Sequence, residues 1–324
     1  MFLDAKLNEG TTAVTDLLSE QNGIQGVSAY FKAGRHAELT KQTCWVIEES
    51  ALTVDVEAIG TYTLMWTPTD SAPSPVGYTA EDGVLAEAET PEALSLAAGF
   101  LLTEGIVDQL TDLRSMAVCH DNPGIVRVQL ISPDRVKTRR RNVVMTSSCG
   151  ICGGRDAVEQ LLGKLPQTTR TLTCASDSFM PLMDTMKQRQ RVFGQTGGAH
   201  AAAVFSAEGK LIAEAEDLGR HNALDKVIGQ CLLRGLSLEG CGVLLSSRLS
   251  LEMVSKAARA GLELIAAVSA PTSLAIEVAE RAGITLCGFV RGERLTAYTH
   301  PFRLQDNSAE LPALPPLRFN PRAE

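Results

Sequence analysis

Apolar and polar positions alternate along part of the first half of the chain, which predicts strands. Residues 44–47 and 51–56 read as strands, the second with an apolar residue at every other position. Residues 61–66 are the expected hairpin partner. The run Thr67-Pro68-Thr69-Asp70-Ser71-Ala72-Pro73 opens a loop, and no core pattern returns until about residue 89. Thr90-Pro91-Glu92 then reads as a helix start, with Thr90 as N-cap and Pro91 at the first helical position. That helix spans 93–102 and ends at Thr103-Glu104-Gly105. Strands at 116–120 and 125–131 flank the turn Asp121-Asn122-Pro123-Gly124. Residues 44–142 therefore read as a small α+β unit. Residues 1–43 are polar and weakly patterned, which predicts a mobile N-terminal extension.

The second half changes period more regularly. A strand at 141–145 and a helix at 154–162 bracket the stretch Ser148-Cys149-Gly150-Ile151-Cys152-Gly153. A helix lies within 176–191, and Met180, Met183 and Met186 recur every third position as core residues do. Strands at 201–205 and 211–216 form a hairpin across Glu208-Gly209-Lys210, and a helix follows at 223–233. Strand 243–245, helix 249–259, strand 262–268, helix 271–282 and strand 284–290 complete a β-α-β-α-β run. That order requires parallel strands with right-handed crossovers, so the fold class is α/β. The Pro-rich residues 306–324 read as a tail.

Charge and cysteine content narrow the function. The 324 residues carry a net charge of −8, which argues against bulk attraction to nucleic acid or to a membrane surface. The local exception, Lys137-Thr138-Arg139-Arg140-Arg141, reads equally well as an anion contact and as a solvated strand entrance. The first residues lack a signal-peptide pattern, and no apolar run approaches the ~20 residues that span a bilayer. Eight cysteines without an export signal predict reduced thiols and a cytoplasmic location.

Cys149 and Cys152 stand where a strand gives way to a helix. Unpaired N–H groups and the helix dipole favour a thiolate there. Reactive thiol chemistry, half of a metal site and an inert turn all remain open locally. A structural zinc site needs two further ligands, yet the sequence has no second CxxC and no HxxxH. His36-Ala37-Glu38 resembles the H-x-E of zinc deaminases, but Ser148 rather than Pro precedes Cys149, and more than a hundred residues separate the two parts.

Two other regions carry candidate chemistry. In Glu216-Asp217-Leu218-Gly219-Arg220-His221-Asn222, Asp217 and His221 could move protons. The structural alternative is a solvated helix start with Asn222 as N-cap. The exits of the three parallel strands, at 246–248, 269–273 and 289–294, are predicted to meet at one sheet edge, where open α/β sheets bind ligands. Ser269, Thr272, Arg248, Arg291 and Arg294 would form an anion site there, suited to a phosphate-bearing ligand.

Several stretches together resemble the formate dehydrogenase accessory sulfurtransferases, the FdhD family. They are Ala98-Gly99-Phe100-Leu101-Leu102-Thr103-Glu104-Gly105-Ile106, residues 147–153, Thr196-Gly197-Gly198-Ala199-His200, residues 216–226, Arg248-Leu249-Ser250-Leu251-Glu252, residues 269–275 and Gly288-Phe289-Val290-Arg291-Gly292. They occur in the family's order across roughly 44–305. The resemblance implies a sulfur carrier and transferase. It would accept persulfide sulfur from a cysteine desulfurase and pass it to the molybdenum of the bis-molybdopterin guanine dinucleotide cofactor. That cofactor would then enter the formate dehydrogenase catalytic subunit. By the same resemblance Cys149 carries the persulfide and Cys152 assists. Phe289, Val290, Arg291, Gly292, Glu293 and Arg294 hold part of the cofactor. Residues 143–305 are expected to be similar to the cytidine deaminase fold, without its zinc, in a homodimer with no structural metal. The competing expectation is a nucleotide-binding assembly chaperone whose CxxC is structural or binds zinc, and a third is a plain thiol–disulfide oxidoreductase. The N-terminal extension and the 67–89 loop look longer than the family's, and Ser247 stands where glycine is usual before the arginine.

Overall fold

A computed structural model describes residues 22–70, 77–87, 90–136, 143–145 and 163–305. The CxxC, the basic run 137–141, the helix expected at 154–162 and the tail after 305 lie outside the described residues.

The elements run β1 (Ile24–Phe31), β2 (Thr40–Ile47), β3 (Ser50–Val56), β4 (Gly60–Trp66), β5 (Gly77–Thr79), α1 (Glu92–Thr103), β6 (Leu113–Cys119), β7 (Asn122–Leu130) and β8 (Val143–Met145). They continue with β9 (Cys174–Ala175), α2 (Phe179–Arg189), α3 (Arg191–Thr196), β10 (His200–Phe205), β11 (Leu211–Asp217), α4 (Arg220–Leu233), β12 (Gly242–Leu245), α5 (Leu251–Arg259), β13 (Leu264–Ala267), α6 (Ser273–Ala282), β14 (Thr285–Arg291), β15 (Arg294–Thr299) and β16 (Leu304–Gln305). Two six-stranded sheets carry the fold, in the orders β5-β6-β7-β3-β4-β8 and β11-β10-β12-β13-β14-β15.

Alternation drives the first sheet. Leu52, Val54 and Val56 of β3 are buried while Ala51 and Asp55 face outward. β3 and β4 form the expected antiparallel hairpin, with Val54 opposite Tyr62. In the second sheet β12, β13 and β14 are parallel neighbours, as the alternating pattern requires. Helices α4, α5 and α6 bury their apolar residues on one face of this sheet. Helix α2 covers the other face with Phe179, Leu182, Met183 and Met186. Among the described residues no helix is long and apolar enough to cross a membrane.

Helix α1 joins the two sheets. All of its residues from Ala93 to Thr103 are buried, because α4 lies on one side and the first sheet on the other. The close crossing depends on glycine. A Cβ on Gly99 would overlap the Asp225 carbonyl, and one on Gly229 would overlap the Ser95 carbonyl. One apolar core consequently runs from Leu52 to Leu286, through both halves of the chain.

Several expectations change. The mobile extension assigned to 1–43 is corrected for residues 24–43, because Ile24–Phe31 pairs with Thr40–Ile47 as an antiparallel ribbon. Most of that ribbon is solvated on both faces, so its sequence lacks the usual one-sided alternation. It is anchored at its base, where Ile24, Trp45 and Ile47 pack on Val192 and Ala199. Within the expected 67–89 loop, Gly77–Thr79 pairs with β6. Val143–Met145, expected to begin the second unit, is the edge strand of the first sheet beside β4. Thr90 does not cap α1. The carboxylate of Asp70 accepts the Glu92 N–H at 2.8 Å instead, and the Thr90 hydroxyl donates to the Ala86 carbonyl. Asn222 does not cap α4, which begins earlier at Arg220 with Gly219 at the N-cap position.

Candidate functional site

The carboxyl ends of β12, β13 and β14 open on one edge of the second sheet. Antiparallel pairing brings the start of β10 and the end of β11 there too, with Ala202 opposite Leu245 and His200 opposite Asp217. The N-termini of α4, α5 and α6 therefore share this edge. The loops are laced together by their backbones. Leu249 N–H donates to Ala270 O at 3.1 Å, Thr272 N–H to Leu249 O at 2.9 Å, and Phe289 N–H to Ser269 O at 3.2 Å. The Thr272 hydroxyl caps α6 by accepting the Ala275 N–H at 3.2 Å. Ser246 Oγ accepts the Ala201 N–H, so this serine holds β10 to β12.

The turn between β14 and β15 is exposed at this edge. Phe289 sits at a bulge with φ of 53° and is 43 % exposed. Gly288 beside it lies so close to the 269–271 loop that a Cβ would stand 3.0 Å from the Ser269 carbonyl. Gly292, with φ of 54°, makes the tight reversal to Arg294. Arg291 Nε donates to the Val268 carbonyl at 2.8 Å, and Glu293 and Arg294 are exposed. Val290 differs from its neighbours, since its side chain belongs to the apolar core and only its backbone faces the turn.

The residues of the 216–222 stretch separate into two roles. Asp217, expected to shape the site or move protons, is fully buried. It pairs with buried Lys226 at 3.1 Å and accepts from the N–H groups of Thr67 and Gly219 and from the Asn222 amide. Lys226 also donates to the carbonyls of Thr67 and Glu216. Burial works against its ammonium, but Asp217 and Glu92 outweigh that and hold its pKa above the usual lysine value. This knot ties β4 of the first sheet to the edge of the second. Sequence reasoning missed Lys226 because a helix pattern does not show which buried cation has a partner.

His221 faces the other way. Its Nε2 lies 3.3 Å from Glu252 Oε2 in the first turn of α5, and its buried Nδ1 has no hydrogen-bond partner among the described residues. The hydrogen bond from His221 is the chief reason that the Glu252 carboxyl titrates below its ordinary value, against the effect of burial. His200 stands nearby. Burial, then the charges of Arg220, His221 and Arg248, lower its pKa, with Asp217 acting in opposition. Arg248 is exposed at the exit of β12. Arg220, His200 and Glu252 were not singled out from the sequence, although Arg220-His221 at a helix start is an unusual placement for cations.

A model of the FdhD/NarQ family matches residues 88–305. The chain belongs to the FdhD/NarQ family. A relative from Sulfurisphaera tokodaii, named sulfur carrier protein FdhD, is 43 % identical over 210 residues, which cover 64 % of this chain and 79 % of that protein. One of the same name from Thermoplasma acidophilum is 38 % identical over 239 residues, 71 % of this chain and 82 % of that one. The crystal structure of a candidate formate dehydrogenase accessory protein from Desulfotalea psychrophila superposes with a TM-score of 0.63 and 22 % identity. It covers 86 % of this chain and 99 % of its own, a likeness of fold.

The family match places the ribbon β1–β2 outside the matched residues. It takes in the whole edge of the second sheet and β8. β8 pairs in parallel with β4, Met145 opposite Leu64. The next residue of β4, Met65, gives its carbonyl to the Asn222 amide. The carboxyl end of β8 thus heads toward the Asp217–Asn222 turn. Three buried cysteines among the described residues differ in kind from a reactive pair. Burial pushes the thiol of Cys174 up to about 11, and those of Cys231 and Cys287 up to about 12, so all three stay protonated at neutral pH.

Proposed function

We propose that this chain is a sulfur carrier that receives sulfane sulfur as a persulfide on Cys149 from a cysteine desulfurase. It then delivers that sulfur to the molybdenum of a bis-molybdopterin guanine dinucleotide substrate bound for formate dehydrogenase. The observation that carries this reading is the likeness, at 43 % identity, to a protein named as a sulfur carrier. The chemistry is consistent with it. A thiolate attacks the donor's outer sulfur and expels the donor thiolate. A second thiol, Cys152, attacks Cys149 of the persulfide, releases sulfide and leaves a Cys149–Cys152 disulfide for later reduction.

The sheet edge supports the nucleotide part of the reading. Phe289 offers an exposed aromatic face for a base, and Arg291 and Arg294 flank a glycine turn that lets a ligand approach the backbone. Helices α5 and α6 present N-termini suited to phosphate at the same edge. The strand order β11-β10-β12-β13-β14, with helices on both faces, favours a cytidine-deaminase-like reading of the second sheet. A homodimer and a cytoplasmic location belong to the same reading.

The test is intact mass of the full chain after incubation with a cysteine desulfurase and cysteine. One added sulfur atom on the wild type and none on Cys149→Ala are expected. Equal loading of the two would refute Cys149 as the carrier.

A further inference from the structure

We propose that the β1–β2 ribbon docks face to face on the same ribbon of a second copy of this chain, with the two ribbons antiparallel about a two-fold axis. The tip of each ribbon then lies at the base of the other. Such docking forms the homodimer of the proposed function, and it rests on no other part of that reading. The ribbon lies outside the residues that the family model matches.

Register sorts the side chains of the ribbon. Opposed residues of an antiparallel pair share a face, and successive residues alternate between faces. Val27 is opposite Cys44, Phe31 opposite Thr40, Ala29 opposite Gln42 and Gln25 opposite Val46. One face therefore carries Val27, Ala29, Phe31, Cys44 and Val46. The other carries Ile24, Trp45 and Ile47, which pack on Val192 and Ala199. Apolar residues thus occur on both faces, and only one face is anchored. On the first face Phe31 is 44 % and Val46 36 % exposed. Among the described residues none of its five apolar side chains joins an apolar cluster. A strand pair of this kind is an association hazard unless something covers it.

Charge decides what covers it. The exposed loop at the tip carries Lys32, Arg35 and His36 against Glu38, and Lys41 adds a cation at the same end. The base carries Glu48 and Glu49. The Glu48 N–H donates to Gly23 O at 2.9 Å, which extends the register and puts Glu48 on the same face as Val46. Among the described residues the side chains of Lys32, Arg35, Glu48 and Glu49 make no ion pair. Arg191, also at the base, is turned to the Asn22 and Thr69 carbonyls. Strands of 8 residues make the ribbon ~27 Å long. That exceeds the Debye length of ~8 Å at physiological salt, so its two ends are screened from each other. A surface with a cationic end, an apolar middle and an anionic end is complementary to its own copy under a two-fold axis. Antiparallel docking joins the opposite charges at both ends, whereas parallel docking sets like charges together.

The axis has a chemical marker. Eight opposed pairs make up the ribbon, and Val27 with Cys44 is the fourth from the base. Cys44 therefore stands at the middle of the docking face. It is a free thiol and partly exposed. Two-fold docking sets it beside the Cys44 of the second copy.

Sedimentation equilibrium of the full chain, up to about 100 µM, measures the monomer–dimer equilibrium. A dimer is expected for the wild type. Phe31→Glu puts a charge on the apolar face and should raise Kd at least about tenfold. Lys32→Glu with Arg35→Glu should raise it at least about tenfold as well. Adding Glu48→Lys and Glu49→Lys to that pair should restore the dimer, a rescue that a misfolded chain could not show. A short bismaleimide should link two chains through Cys44, seen by mass spectrometry as a Cys44–Cys44 cross-linked peptide. An unchanged Kd in the Phe31→Glu chain, no rescue by the exchanged charges, or no such peptide overturns the proposal. A dimer that persists unchanged in every ribbon variant overturns the ribbon contact and leaves the homodimer standing. A wild type that stays monomeric overturns both, and if it still takes up sulfur on Cys149 the carrier reading survives.

Discussion

Replacing Glu263 by glutamine should cost the protein several kcal/mol at neutral pH and much less in acid. Glu263 is fully buried just before β13. Its carboxylate accepts from the Thr169 and Thr171 hydroxyls at 2.6 Å, from the N–H groups of Thr171, Leu172 and Gly240, and from Arg303 Nε at 3.0 Å. Burial raises its pKa, but the bonds from Thr169, Thr171, Leu172 and Arg303 outweigh burial and bring it to about 2, from an ordinary 4.5. The shift corresponds to ~3.4 kcal/mol at ~1.36 kcal/mol per unit. The folded value is depressed, so this stability is complete above about pH 5 and is lost as pH falls from 4.5 through 2. About 2 kcal/mol of it should be gone at pH 3. Glu263→Gln leaves buried Arg303 without its counter-charge, a change that typically costs ~3–5 kcal/mol. Urea unfolding of both chains at pH 7 and pH 3 measures the effect. The gap should be ~3 kcal/mol or more at pH 7 and should narrow at pH 3. A gap under ~1 kcal/mol at pH 7, or one that is equal at both pH values, would refute the reasoning.

Two further outcomes follow from the close crossing and from the turn. Gly229→Ala forces α1 and α4 apart because the new methyl overlaps the Ser95 carbonyl. It should destabilise by the upper part of the ~1–3 kcal/mol range for overpacking, and thermal unfolding checks this. The Arg291→Ala, Arg294→Ala double variant should bind guanosine diphosphate at least about tenfold more weakly than wild type, since each charge-assisted bond contributes ~1.5–3 kcal/mol. Unaltered affinity by calorimetry would remove these arginines from the ligand site.

The chain's periodicity carried the architecture of the second sheet. Strands at 243–245, 262–268 and 284–290 alternate with helices, and chirality leaves one arrangement for such a run, so the shared edge was legible before any coordinates. The family was legible too, from motifs of specific residues in order. The ribbon β1–β2 was not legible, because a strand pair solvated on both faces has no one-sided apolar alternation to read. Asp217 and His221 show the same limit within one turn of chain. They read alike as proton-transfer candidates, four residues apart in sequence. Only the tertiary structure sends one inward to Lys226 and the Thr67 N–H, 150 residues away, and the other toward Glu252 with a nitrogen left open. Periodicity is local and records which face of an element is buried. The partner that a polar side chain meets comes from another part of the chain, and burial of that pair, not its sequence, decides whether the charge braces the fold or waits for a ligand.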